Sequence, residues 1–302
     1  MLDKFSELFG LAYREKWALA QIIEQVKEFM KGGHSAQQII AGLMVVVEMA
    51  AFLIFEVPMT PRGEKLDLTG YELVFCDEFE GTELDTSAWN YRALGDRRSG
   101  YNAESQVEVK DGNLVINGEY LEDGTYGAGW YAGMIALTKK YNKGYFEIKC
   151  KCADGGGFWS AFWIQADNPY DHYISKGGVG GAELDIFEAM NMDEKTELMR
   201  NGVTHTIHCN GSDDDVENID SCSLGTFRGN NIYNEFNTYG LKWTDDEYIF
   251  YINGIETTRS SFANGVSEVP EEVIVSLEIP SDGLTDISQK TQFVVDYVKI
   301  YQ

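Results

Sequence analysis

From Tyr71 to the C-terminus the chain carries no helical periodicity, and this limits what it can fold into. Short runs rich in β-branched and aromatic residues recur at 71–75, 113–117, 144–151, 158–165, 239–243, 248–252, 273–277 and 293–301, with glycine and aspartate between them. Asn253-Gly254, set between two such runs, tolerates the positive φ angles of a type I′ hairpin turn. Many short strands without helices bury their apolar faces by stacking two sheets, so the expectation is an all-β sandwich of two antiparallel sheets over residues 71–302.

The first 57 residues differ in kind. Apolar residues at Leu19, Ile22, Ile23, Val26 and Met30 have the spacing of a half-buried helix, which Gly32-Gly33 ends. Ser35 and Gln38 form a capping box before a second apolar run. A helix over 36–56 would be about 30 Å long, one bilayer core. Glu48 near its middle would cost about 3 kcal/mol there. Two expectations stand side by side: a helical hairpin docked on the main domain or on another copy, and a signal-anchor that associates with a membrane through residues 36–56. No cleavable signal peptide is recognised, because the apolar stretch begins too far from Met1. Two of the five prolines, Pro58 and Pro61, mark 58–70 as a linker.

The formal charge is -25. A negative field opposes nucleic acid and other anionic polymers, and a neutral substrate or a cationic partner fits better. The five cysteines are odd in number and lack zinc-type pairing. Cys150 and Cys152 share a strand face and are poorly placed to bridge each other, whereas Cys209 and Cys222 are open to pairing across a loop.

The chemistry concentrates in Glu183-Leu184-Asp185-Ile186-Phe187-Glu188. Alternation puts Glu183 and Asp185 on one strand face but sends Glu188 to the other. One extra residue at Ile186-Phe187, a β-bulge, returns Glu188 to the acidic side. Three carboxylates then line one face, the residue types a glycosidase uses as nucleophile and general acid/base. In 158–164 the same parity groups Trp159 and Trp163 around Ala161; two indoles on one face serve either as platforms for sugar rings or as core. In 203–208 it puts Thr204, Thr206 and His208 on a polar face and Val203, His205 and Ile207 on an apolar one, so His208 is the cleft candidate.

The acidic hexapeptide resembles the bulged E-x-D-x-x-E signature of glycoside hydrolase family 16, in its laminarinase-like, agarase and carrageenase branches. The likeness continues through Asp77-Glu78-Phe79-Glu80-Gly81, Trp89-Asn90, Gly144-Tyr145-Phe146-Glu147, the double-tryptophan run, 236–243 and 295–301. The resemblance implies a β-jelly-roll sandwich with a concave cleft and a retaining mechanism. Glu183 would be the nucleophile, Glu188 the general acid and then base, and Asp185 the residue that orients them. Trp159 and His208 would map to the family's subsite tryptophan and active-site histidine, and Trp163 and Asn102 join them as substrate-binding candidates. Glu78 and Asp296 resemble positions that hold a structural calcium in some members; no other cofactor is required. Two departures stand out: Tyr101 precedes Asn102 where many laminarinase-like members carry tryptophan, and Asn237 replaces a usual histidine. The implied activity is a retaining endo-β-glycanase on β-1,3- or mixed β-1,3/1,4-glucan, working outside the cell or at its surface. A galactan hydrolase of the agarase or carrageenase type and a non-catalytic carbohydrate-binding protein are the alternatives.

Overall fold

The computed structural model describes residues 57–155, 157–166, 180–190, 200–212, 215–261, 265–281 and 286–302. Two sheets form: burial alternates in strands such as Gly144–Lys151 and Lys290–Tyr301, whereas Trp159–Gln165 and Glu272–Glu278 are buried on both faces. The seven-stranded sheet runs, in spatial order, Asp215–Arg228, Gly202–Ser212, Glu183–Met190, Trp159–Gln165, Glu272–Glu278, Met134–Leu137 and Trp89–Tyr91. The other, eleven-stranded, has Gly144–Lys151 and Lys290–Tyr301 at its centre and ends on one side at the hairpin Tyr248–Ile252 and Ile255–Ser260. Asn253 and Gly254 turn that hairpin at φ 51° and 70°, the conformation their sequence favours. This is the two-sheet, jelly-roll-like β-sandwich that the resemblance implies.

The two sheets enclose one core. Phe162, Ile164, Leu184, Phe187, Val275 and Leu277 enter it from the seven-stranded sheet and Phe146, Ile148, Leu241, Phe250 and Phe293 from the other. Phe187 stacks on Tyr239 across the layers at 4.1 Å between centroids. Fully burying an aromatic or aliphatic side chain is worth about 1.5–3 kcal/mol, so this layer holds the sheets together.

The opposite face of the seven-stranded sheet carries a second apolar group: Met134, Ala136, Trp159, Ala161, Trp163 and Ile274. Strand parity therefore sorts the two indoles away from the main core and onto the face that carries the acids. A line of register irregularities crosses this sheet, at Phe162/Trp163, Asp185/Glu188 and His205/Thr206. Bulges in adjacent strands bend and twist a sheet together.

The segment after Val57 docks on the edges of both sheets. Met59 bridges Phe227 in parallel, and Gly63 and Glu64 exchange backbone hydrogen bonds with Glu256. Each outer strand on that side is thus paired at one end by this segment. None of the five cysteines is in a disulfide, Cys209 and Cys222 included.

The helices expected before Val57 lie outside the described residues. Membrane association through residues 36–56 is corrected here: no helix among the described residues is long and apolar enough to cross a membrane.

Candidate active site

The acidic strand is built as its sequence requires. Trp163 opposes Asp185, Phe162 opposes Phe187 and Ala161 opposes Glu188, so Ile186 is skipped on one side. On the other, Asp185 opposes Thr206 and Glu188 opposes Thr204. Ile186 and Phe187 are both fully buried in the core, and Glu188 returns to the face of Glu183 and Asp185.

Each carboxyl has its own partners. Glu183 Oε2 accepts a hydrogen bond from the Gln165 amide. Gln165 Oε1 in turn accepts from Arg92 Nη2 at 2.6 Å, and Arg92 Nε donates to Glu272 at 2.7 Å. Asp185, 5 % exposed, pairs with His208 Nε2 at 3.0 Å, and His208 Nδ1 lies 2.6 Å from Ser221 Oγ. Glu188 Oε1 accepts from Trp159 Nε1 at 3.1 Å.

These surroundings set the protonation states. Burial, then the charge of Asp185, pushes Glu188 up to about 8 against the pull of the Trp159 N–H, so it is protonated at neutral pH. Burial and Asp185 also raise Glu183, but His208, Gln165 and Arg92 oppose that rise. Burial raises Asp185 while the His208 hydrogen bond draws it down. The same bond, with the charges of the three nearby acids, holds His208 above the ordinary histidine range.

Trp159 and Trp163 lie on this face at 8 % and 7 % exposure, with Arg98 over the first indole at 4.8 Å and Arg92 over the second at 5.0 Å. Trp163 Nε1 donates to Ser276 at 3.1 Å. Arg97 and Arg98 both pair with the buried Glu278, at 2.9 and 3.1 Å. Asn102 belongs to Gly100–Asn102 in the eleven-stranded sheet, is 1 % exposed, and its Nδ2 has no hydrogen-bond partner among the described residues.

Glu78 and Asp296 do not fit a calcium site. Glu78 faces Lys299 Nζ at 2.8 Å and Asp296 faces Lys149 Nζ at 2.6 Å, so each carboxylate already holds a cation of the protein's own. Among the described residues, the group of three whose ligand atoms lie within 4.8 Å of one another is Glu183, Asp185 and His208, within the acidic site itself. Its carboxylate and imidazole atoms could take a small cation, but the Asp185–His208 hydrogen bond already occupies part of that set.

Sequence reasoning missed Arg92, Arg97, Arg98, Gln165, Glu272 and Glu278. Gln165 was within reach, since it shares parity with Trp159 and Trp163. The arginines come from the irregular stretch in and around the three-residue strand Gly95–Arg97, where no periodicity points to a face.

One carboxyl kept protonated beside acids that share its cleft face, on the bulged strand of an open sandwich, is the equipment of a glycoside hydrolase. Residues 73–302 match the family described as beta-porphyranase A-D, GH16 domain, and the chain belongs to glycoside hydrolase family 16. It is 26 % identical over 278 residues to the glucan endo-1,3-beta-glucosidase A1 of Niallia circulans, covering 78 % of this chain and 38 % of that protein. To the beta-porphyranase D of Zobellia galactanivorans it is 30 % identical over 213 residues, 63 % of this chain and 46 % of the relative. The chain thus spans less than half the length of these two relatives. Among solved structures it resembles SCLam, a non-specific endo-beta-1,3(4)-glucanase from family GH16, with a TM-score of 0.64, 22 % identity, and coverage of 82 % of this chain and 97 % of that one. That likeness is one of fold.

Proposed function

We propose that this chain is a retaining endo-β-glycanase that hydrolyses β-1,3- or mixed β-1,3/1,4-glucan by double displacement. The observation that carries the reading is the difference between the two glutamates. Glu188 is held protonated near neutral pH by burial and by Asp185, whereas Glu183 is hydrogen-bonded by Gln165 and lies in the field of Arg92 and His208. Glu183 attacks the anomeric carbon as Glu188 gives its proton to the departing oxygen, and a glycosyl ester forms on Glu183. Esterification removes one negative charge beside Glu188, which lowers its proton affinity and lets it activate the water that releases the sugar. Asp185, ion-paired to His208, supplies the fixed charge between them.

The glucanases among the relatives support a glucan substrate. A galactan bearing anionic groups is the second reading. It is favoured by the match to the beta-porphyranase family and by three guanidinium groups on the acid-bearing side, those of Arg92, Arg97 and Arg98. Glu272 and Glu278 offset much of that charge, which leaves the neutral glucan ahead.

Purified protein incubated with laminarin, lichenan, agarose and porphyran tests both. Internal cleavage of laminarin or lichenan, with the new reducing ends first appearing as the β-anomer by proton NMR, is the expected result. Cleavage confined to porphyran or agarose overturns the glucan assignment. First-formed α-anomer overturns retention, and binding without turnover overturns the hydrolase.

A further inference from the structure

The bulge that returns Glu188 to the cleft leaves a difficulty behind it. Ile186 stands in the register of neither neighbouring strand and is fully buried, so its carbonyl lies away from water. A buried acceptor without a donor is destabilising and would favour sliding the register back, which would bury Glu188.

His205 fills that place. Its imidazole is fully buried, with Nδ1 2.6 Å from the Ile186 carbonyl oxygen. A carbonyl only accepts, so Nδ1 carries the proton and donates, and Nε2 is left as the acceptor end. Thr257 Oγ1 lies 3.0 Å from Nε2 and 3.0 Å from the Phe250 carbonyl oxygen, two acceptors between which its single hydroxyl proton is divided. Thr257 and Phe250 belong to Ile255–Ser260 and Tyr248–Ile252, in the opposite sheet. The ring is held between Phe227 and Phe250, at centroid distances of 5.2 and 4.8 Å. Burial draws this histidine down to about 4, so it stays neutral and keeps the single-proton arrangement the two hydrogen bonds need.

We infer that His205 is a positioning residue for Glu188: its imidazole fixes the bulged Ile186 peptide and, through Thr257, ties the bulge to the far sheet, so that the Glu188 carboxyl is aimed into the cleft. The inference rests on the reading of Glu188 as acid/base. His205 itself touches no substrate, and it lies on the core side of the sheet, behind the acids.

The test uses the full chain and four variants: His205→Leu, His205→Asn, Thr257→Val and Glu188→Ala. Laminarin turnover is measured beside hydrolysis of a dinitrophenyl β-laminaribioside, whose leaving group needs no proton. His205→Leu should lower kcat on laminarin about 100-fold, the cost of a misplacement on the order of 1 Å, with KM within about twofold. On the dinitrophenyl substrate its formation of glycosyl-enzyme should be nearly unchanged. The alkaline limb of the laminarin profile should move to lower pH, because Glu188 loses burial while still facing Asp185, Glu183 and His208. Asparagine places an amide N–H where Nδ1 stands, so His205→Asn should restore most of the activity.

Thr257→Val keeps the imidazole and removes only its outer anchor. It should lower laminarin kcat about tenfold with the same limb shift, and it decides the matter if His205→Leu does not fold. Laminarin kcat unchanged in His205→Leu, or in Thr257→Val where the former is unfolded, overturns the inference. So does a loss of glycosyl-enzyme formation on the dinitrophenyl substrate equal to the loss on laminarin. If Glu188→Ala shows no dependence on the leaving group, the acid/base assignment itself has failed; if it does and the His205 variants do not, only the positioning role falls.

Discussion

The hydrogen bond from Trp159 Nε1 to Glu188 Oε1, at 3.1 Å, links an indole on the cleft floor to the proton on which the proposed first step depends. An N–H donor stabilises the ionised carboxyl, so it lowers a proton affinity that burial and Asp185 have raised to about 8. Trp159→Phe removes the donor and keeps an aromatic ring under Arg98. A hydrogen bond to a charged group is worth about 1.5–3 kcal/mol, and 1.36 kcal/mol corresponds to one pKa unit, so the removal raises Glu188 by about one to two units. Glu188 is only partly buried, with water available to replace some of the lost bond, which argues for the lower end, about one unit. The general acid must be protonated, so the alkaline limb of kcat/KM moves to higher pH by that amount while the acidic limb stays in place. Initial rates on a soluble laminari-oligosaccharide from pH 4 to 10 measure both limbs. An alkaline limb that stays still or moves down refutes the assignment of Glu188 as acid. Movement of both limbs together would mean that the substitution has disturbed the whole coupled set rather than one bond.

Asp185→Asn should have the opposite sign, moving the alkaline limb down by about one pH unit, since it removes the negative charge that helps hold the Glu188 proton; the same profile detects it. Arg92→Leu releases Gln165 from its 2.6 Å bond and takes a positive charge from the neighbourhood of Glu183. The acidic limb should then rise and kcat at pH 5 fall about tenfold, because the nucleophile must be ionised. Glu271, fully buried and holding the Ala182 amide at 2.9 Å, is raised by burial to about 8 from an ordinary value of 4.5. The folded state therefore keeps a proton that the unfolded chain gives up. Its contribution to stability is present below about pH 4.5 and is lost as pH rises through about 8. Glu271→Gln keeps an acceptor for Ala182, so its melting temperature should fall less than that of the parent between pH 5 and 8, as read by circular dichroism; parallel curves would refute the buried proton.

Much of the sandwich was legible because strand parity is a local property. The runs at 144–151 and 248–252 coincide with the observed strands Gly144–Lys151 and Tyr248–Ile252, and Asn253-Gly254 turns where its φ preference puts it. The bulge was legible for a different reason: only an inserted residue reconciles Glu188 with Glu183 and Asp185 on one face, and Ile186 is that residue. Parity also sorted His208 from His205. It spoke of faces and not of partners, however, and so passed over His205, whose outer partner Thr257 lies 52 residues downstream in the other sheet. Asn237, a departure from the family pattern, organises a turn: its Oδ1 accepts from the Asn230 amide and from Asn253, and its Nδ2 donates to the Asn230 and Glu235 carbonyls. Nothing in its spacing announces that role.

The least legible part is the charge of the cleft. A total of -25 suggests a face that repels anions, yet the groups over the two cleft indoles are guanidinium ions. Arg92 and Arg98 come from a stretch with no periodic face, and their carboxylate partners Glu272 and Glu278 lie 180 residues away in sequence, adjacent only once the sheet closes. Those ion pairs do two things together. They hold the arginines over indoles that parity alone would have left open to sugar rings, and they offset most of the positive charge, so that the face is neither the acidic surface the composition suggests nor a free basic groove. A neutral polymer meets planar, hydrogen-bonding guanidinium edges there. An anionic one would have to compete with Glu272 and Glu278 for the same donors, and for that reason the balance between glucan and galactan rests on these two carboxylates more than on the net charge of the chain.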